Sequence, residues 1–249
     1  MLFDDLVAKI QDRIAEWENK VLSPGGRITL LRSVFSSLPI YLLQVFKPPT
    51  CVIERIDRLF NSFLWEGSTG TRKIHWASWH KITLPSNEGG LDIRGLGDVM
   101  QAFSMKLWWR FLTCNSIWTH FIWSKYCASQ IPRNVKSKLW DSQTWKWMLA
   151  SCSVIEQFTR CRIGKGELFF WHDCWMGEAP LVSRYPSFAS STTRVCYFYD
   201  NGKWDLGKLN NVLPEEVVAK ILKISIDPLS VDTAFWVPTS NGQFTIKSV

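Results

Sequence analysis

Apolar residues recur at helical spacing through the first 65 positions. Val7, Ile10, Ile14, Trp17 and Val21 follow at intervals of 3, 4, 3 and 4, the period of one helix face. Pro24-Gly25-Gly26 is expected to break that helix. A second stripe, Ile28, Leu31, Phe35, Leu38 and Leu42, repeats the spacing. Pro39 lies inside it and is expected to kink or end it, since proline has no N–H to donate. Pro48-Pro49 stops this segment, and a third stripe comes next at Ile53, Ile56, Phe60 and Phe63, with Gly67 placed to terminate it.

Residues 67–97 are glycine-rich and read as irregular, with short apolar pieces around Trp76, Trp79 and Ile82. Asp98, with Gln101 three residues on, resembles a capping box that opens a helix carrying Phe103, Leu107, Trp108 and Phe111. Further helix is expected over 118–126 and 139–149. Near residue 155 the pattern changes. Arg162 to Trp171, with Gly164-Lys165-Gly166 between β-prone runs, predicts a hairpin. A polar linker occupies 189–193, and Pro214-Glu215-Glu216 opens a helix expected to reach Ile224. The end, Phe235-Trp236 then Asn241-Gly242-Gln243-Phe244, predicts a second hairpin cut short within a strand. No internal repeat is evident. The expected fold is α+β: a mainly helical N-terminal part, 1–150, then a smaller, hairpin-containing and incomplete C-terminal part.

Composition narrows the class. The 249 residues are 46% apolar and 20% charged, which is globular and not disordered. The best candidate for a membrane span, the uncharged stretch 33–46, is shorter than the roughly 20 residues of a transmembrane helix and contains Pro39. No signal-peptide pattern opens the chain. Seven cysteines without a C-x-x-C pair argue against a disulfide framework. An intracellular location, nuclear or cytoplasmic and not secreted, is therefore expected. Fifteen tryptophans imply either an aromatic core or many stacking surfaces.

Charge is unevenly spread. Residues 1–150 hold 19 Lys/Arg against 12 Asp/Glu, whereas 151–249 hold 10 against 10. The excess concentrates in 20–81, nine against three, and in 106–146, seven against one. A basic excess confined to part of a chain suits a polyanionic partner, while an ordinary solvated surface explains it equally well.

Catalytic motifs are weak. Asp4-Asp5 after Phe3 has the look of a polymerase metal pair, but it opens an amphipathic helix, where an acidic first turn suits the dipole. His172-Asp173-Cys174 with Cys152 and Cys161, and His75 with His80, lack the C-x₂₋₄-C partner of a zinc site and read better as core residues. Gly89-Gly90 and Gly164-x-Gly166 lack the G-K-[ST] ending of a phosphate loop. No catalytic residue, metal site or cofactor is assigned.

A string of motifs carries a resemblance. Trp17, then Leu22-Ser23-Pro24-Gly25-Gly26-Arg27-Ile28-Thr29-Leu30-Leu31-Arg32-Ser33, then Leu38-Pro39, Phe63-Leu64-Trp65-Glu66-Gly67, Lys73-Ile74-His75-Trp76, and Gly89-Gly90-Leu91 come in order. They continue with Met105-Lys106-x-x-Trp109-Arg110, Ile163-Gly164-Lys165-Gly166, Trp171-x-Asp173-x-Trp175 and Asp232-x-x-x-Trp236. Together they resemble the region after the palm in plant LINE-type (non-LTR) retrotransposon reverse transcriptases. Asp92 stands where that family usually has glycine, Gln101 where asparagine is frequent, and Cys161 where tryptophan is common; these departures suggest a drifting copy.

The resemblance implies a non-catalytic fragment, not an enzyme by itself, of an RNA-directed DNA polymerase. The family's magnesium-binding palm would lie upstream and its zinc ligands downstream, so 232–249 would be the start of a zinc-binding domain and 151–231 a mixed hairpin and loop region. The helices would form a thumb-like element holding an RNA/DNA duplex weakly and without sequence preference. Arg27, Arg32, Arg72, Lys73, Lys106 and Arg110 are the expected phosphate contacts. Trp76 and Trp79 could stack on bases, although core packing suits both better. A host-retained protein-interaction module and a product without function are the alternatives.

Overall fold

Helix α1 (Leu2–Glu18) buries Leu6, Val7, Ile10 and Ile14, the face its spacing predicts. Asp4 and Asp5 occupy its first turn, where the exposed N–H groups favour negative charge. A computed structural model describes residues 2–248 except 19, 21, 45, 66–73, 129, 178 and 201. Val21 and the expected stop at Gly67 lie outside the described residues.

The protein divides into two compact units, 1–104 and 105–249. In the first, Pro24-Gly25-Gly26, expected to break the first helix, instead starts the second, α1 having ended at Glu18. Ser23 accepts a hydrogen bond from the Gly26 N–H at 3.2 Å, and Pro24 takes the first helical position of α2 (Pro24–Ser33). Pro39 splits the rest of the second stripe, as expected, into a 3₁₀ turn at Phe35–Ser37 and the single turn α3 (Ile40–Leu43). The break shifts the register: Leu31, Phe35 and Leu43 are fully buried, while Leu38 and Leu42 are only half-buried. Helix α4 (Thr50–Trp65) receives α1 and α2 on the face formed by Ile56, Phe60 and Phe63. Phe35 meets Phe63 edge-on, ring centroids 4.9 Å apart. Residues 74–95 are largely irregular, with one turn of helix, α5 (Trp79–Ile82). Asp92 holds φ at +51°, and its carboxylate accepts the Ser86 N–H at 2.8 Å.

Helix α6 (Leu96–Thr113) begins two residues before the expected cap, so Asp98 stands in its first turn instead of preceding it. The boundary between units falls within α6. Helix α7 (Ile117–Ile122) has reciprocal capping between Ser116 and Thr119 and runs into a π-helical turn, Trp123–Cys127. Helix α8 (Gln143–Gln157) starts later than its apolar pattern predicts. Ser142 caps it through the Trp145 N–H at 3.2 Å, leaving residues 138–141 as a turn.

Both expected hairpins are absent. Strand β1 (Thr159–Arg162) pairs antiparallel with a strand more than seventy residues away, β4 (Thr233–Trp236), Thr159 opposite Trp236. Between them lie β2 (Tyr199–Asp200) and β3 (Lys203–Trp204), a small hairpin whose sequence signal is Asn201-Gly202. Helices α9 (Leu206–Asn210) and α10 (Glu215–Ile221) complete the order, the latter ending three residues earlier than expected. After β4 the Asn241-Gly242 turn folds back, with Trp236 N–H donating to the Gly242 carbonyl at 2.8 Å, and ends in a 3₁₀ turn instead of a strand.

Two apolar clusters fill this second unit. One gathers Trp108, Trp145, Met148 and Ile155 with Trp236. The other gathers Phe170, Trp171, Leu209 and Ile221, with Trp171 stacked on Phe188 at 3.8 Å. Seven of the fifteen tryptophans are thus buried in the core, and Trp118, Trp123 and Trp204 pack against its clusters. The architecture is α+β with a helical N-terminal part and two small two-stranded sheets. Among the described residues, no helix is long and apolar enough to cross a membrane.

Candidate nucleic-acid interface

Of the six basic residues expected at phosphates, the structure places four. In the first unit, Arg27 is half-buried and donates from Nη1 to the Leu64 carbonyl at 3.4 Å, at the C-terminal end of α4. Arg32 is exposed and donates from Nε to the Leu91 carbonyl at 2.6 Å. Each guanidinium thus ties α2 to another segment with one donor and keeps further donors for other partners. In the second unit, Lys106 and Arg110 are exposed four residues apart on α6, one face of the helix, while Trp108 and Trp109 turn into the core. Arg72 and Lys73 lie outside the described residues.

The aromatic candidates divide. Trp76 is 82% exposed, free for stacking. Trp79 is half-buried, its ring 6.3 Å from Phe60, as core packing requires. Beside it, burial raises the Asp57 carboxyl to about 6. The Trp79 side chain opposes that rise and the Asp98 charge adds to it. The Asp57–Trp79 contact is electrostatic: neither Asp57 Oδ1 nor Trp79 Nε1 has a partner in hydrogen-bonding geometry.

The second unit also contains a cavity of about 500 Å³, walled by Phe111, Trp123, Ile131 and Phe169 and floored by charge. Arg133 stands between two carboxylates there, Nε 3.3 Å from Glu156 and Nη2 3.5 Å from Asp173. Burial raises both carboxyls and the Arg133 charge pulls both down. Asp173 also accepts the Phe169 N–H at 2.7 Å. Burial, reinforced by the Asp173 charge, pushes the Cys161 thiol upward, so it is not a nucleophile at neutral pH. Cys174 donates to the Gly177 carbonyl, and burial holds His172 below its ordinary value, hence neutral. Asp173 and Cys174 thus serve separate local partners, neither ring nitrogen of the buried His172 has a partner in hydrogen-bonding geometry, and no group of three or more His, Cys, Asp or Glu among the described residues could hold a metal ion.

Motifs far apart in sequence meet at one clamp. The Asp232 carboxylate accepts the N–H groups of Gly164 at 2.5 Å, Gly166 at 3.0 Å and Glu167 at 2.5 Å. A Cβ on Gly164 would lie 2.4 Å from the Ser230 carbonyl oxygen, and Gly166 has φ +78°. The G-x-G segment is therefore a backbone anion nest filled by the chain's own carboxylate. Sequence reasoning did not single out Arg133, Glu156 or this use of Asp232; only their proximity in the fold reveals them.

The geometry defines an α+β protein with exposed cations on α2 and α6 and a charge cluster satisfied internally. Comparison adds a relative: over 258 residues the chain is 26% identical to a protein of Arabidopsis thaliana described as "Putative ribonuclease H protein". The alignment takes in 99% of this chain and 42% of that protein, so the chain spans about two fifths of the relative's length. No family model matches the chain. No solved structure matches it.

Proposed function

We propose that the chain is a non-catalytic segment of a retrotransposon reverse-transcriptase polyprotein that contributes weak, sequence-independent contacts to an RNA/DNA duplex. The ordered motif string supports the lineage, and the relative's description fits it, since some members of the resembled family carry a ribonuclease H domain. The observation that carries the binding reading is the pairing of Lys106 and Arg110 on one exposed face of α6, inside a part of the chain that holds all the excess positive charge. Such contacts position a duplex without reading its bases.

The test is fluorescence anisotropy of the full chain with an RNA–DNA hybrid over a salt series. Binding that weakens steeply with salt supports the reading. A salt-independent association with proteins would favour the interaction-module alternative, for which exposed Trp76 and Ile74 are the apolar contacts.

A further inference from the structure

The turn before α8 exposes two large apolar side chains: Leu139 is 90% exposed and Trp140 81%. It is nevertheless a built turn. Lys138 N–H donates to the Asp141 carboxylate at 2.7 Å, Asp141 N–H to the Lys138 carbonyl at 3.2 Å, and Lys146 Nζ to the Leu139 carbonyl at 2.7 Å. An ordered turn thus holds two adjacent large apolar side chains in water, an arrangement that suits a partner.

Its surroundings are cationic. From 115 to 146 the chain has Lys125, Arg133, Lys136, Lys138 and Lys146 against one acid, Asp141. That acid is bonded to the turn's own backbone. Lys138 Nζ stands 6.0 Å from the Trp140 ring centroid. Adjoining the turn is a second concavity of about 370 Å³, to which Lys146, Ser137 and Ser153 contribute a cation and two hydroxyls. Arg133 also lines it but is committed to Glu156 and Asp173; Lys146 is bonded only to a neutral carbonyl, so its charge is uncompensated there.

We infer that this turn is a docking site for single-stranded nucleic acid, a base stacking on Trp140 and a phosphate seated by Lys146, Ser137 and Ser153. This rests on the nucleic-acid reading above and adds a site to it. A paired duplex keeps its bases stacked on one another, so an exposed indole beside a concavity lined by a lysine and two hydroxyls suits unpaired nucleotides. A bilayer fits less well, because stable anchoring takes more apolar area than two side chains supply.

The experiment measures the full chain by anisotropy with a labelled oligo-uridylate, with an RNA–DNA hybrid of equal length, and with anionic phosphatidylserine vesicles. Trp140→Ala, whose side chain is exposed and should not alter the melting temperature, is expected to weaken the single strand about tenfold or more. Its duplex affinity should stay within about twofold, the pattern expected of a stacking contact. Lys146→Gln should flatten the single-strand salt slope by about 0.7, the value for one phosphate lost. Wild-type chain that binds both forms while Trp140→Ala changes neither overturns this site alone. Binding of neither form overturns the nucleic-acid reading and the site with it. Trp140-dependent binding of vesicles without single-strand binding would make the turn a membrane contact instead.

Discussion

Arg133 places one positive charge between two largely enclosed carboxylates, and the three charges hold one another in place. Removing the cation by Arg133→Met leaves Glu156 and Asp173 facing each other's repulsion and their own desolvation. The expected loss at pH 7 is about 2–4 kcal/mol, below the full cost of an orphaned buried charge because about a quarter of Asp173's side chain reaches water. With Arg133 gone both carboxyls rise further, so the deficit should shrink as pH falls and they protonate. Urea unfolding at pH 7 and pH 5 checks this; a deficit equal at both would mean lost packing alone. At Asp232 the substitution chosen matters. Asp232→Ala strands three N–H groups and should cost about 3 kcal/mol. Asp232→Asn can keep the two bonds to Gly164 and Gly166 but turns an NH₂ toward the Glu167 N–H, for about 1–2 kcal/mol. Equal losses in thermal unfolding would show that the nest does not discriminate carboxylate from amide. Asp92 illustrates a trade at one residue: left-handed φ is unfavourable for an L side chain, and the bond to the Ser86 N–H offsets it.

Helix α4 carries the buried titration of the first unit. The Asp57 carboxyl holds its proton to about pH 6, whereas the unfolded chain releases it near the ordinary value of 3.8. The folded state therefore binds the extra proton between those values, and stability falls as pH rises through that window and then levels off. Asp57→Asn lacks the step. The wild type should match the variant below pH 4 and fall behind it by about 1–2 kcal/mol above pH 6, after allowing for the side chain's contact with solvent. Thermal melts of both between pH 4 and 7 measure the gap; a gap independent of pH would count against a buried, ionising Asp57. Strand β1 shows why element reading failed nearby. A glycine turn flanked by β-prone residues predicts a local hairpin, but the turn's N–H groups are engaged by Asp232, and β4 from the same distant segment takes the pairing edge.

For the whole molecule, the charge excess of 1–150 sets the expected response to salt. If about four phosphates are neutralised, log K should fall with log salt at a slope near −3.6, and a rise from about 50 to 200 mM should cost on the order of 100-fold in affinity. Replacing Lys106 and Arg110 by alanine should flatten that slope by up to about two units, and replacing Arg72 and Lys73 likewise. The anisotropy series on the full chain measures both effects, and an unchanged slope in the Lys106/Arg110 variant would remove α6 from the interface. Arg27 and Arg32 make a different case, since each also bonds a carbonyl, so their loss should lower stability as well as affinity.

The helices of the first 65 residues were legible because an amphipathic stripe needs only local periodicity, and the proline breaks need only a missing N–H. The charge bias and the motif order were equally local. The features left open by the sequence depended on partners brought from a distance. Whether Trp76 or Trp79 is core, which strand β1 meets, why Gly164-x-Gly166 is a nest, and how Arg133 finds Glu156 and Asp173 all require contacts between residues far apart in the chain. Neighbour patterns constrain backbone shape, while the satisfaction of buried polar groups is decided only when the fold brings their partners within hydrogen-bonding distance.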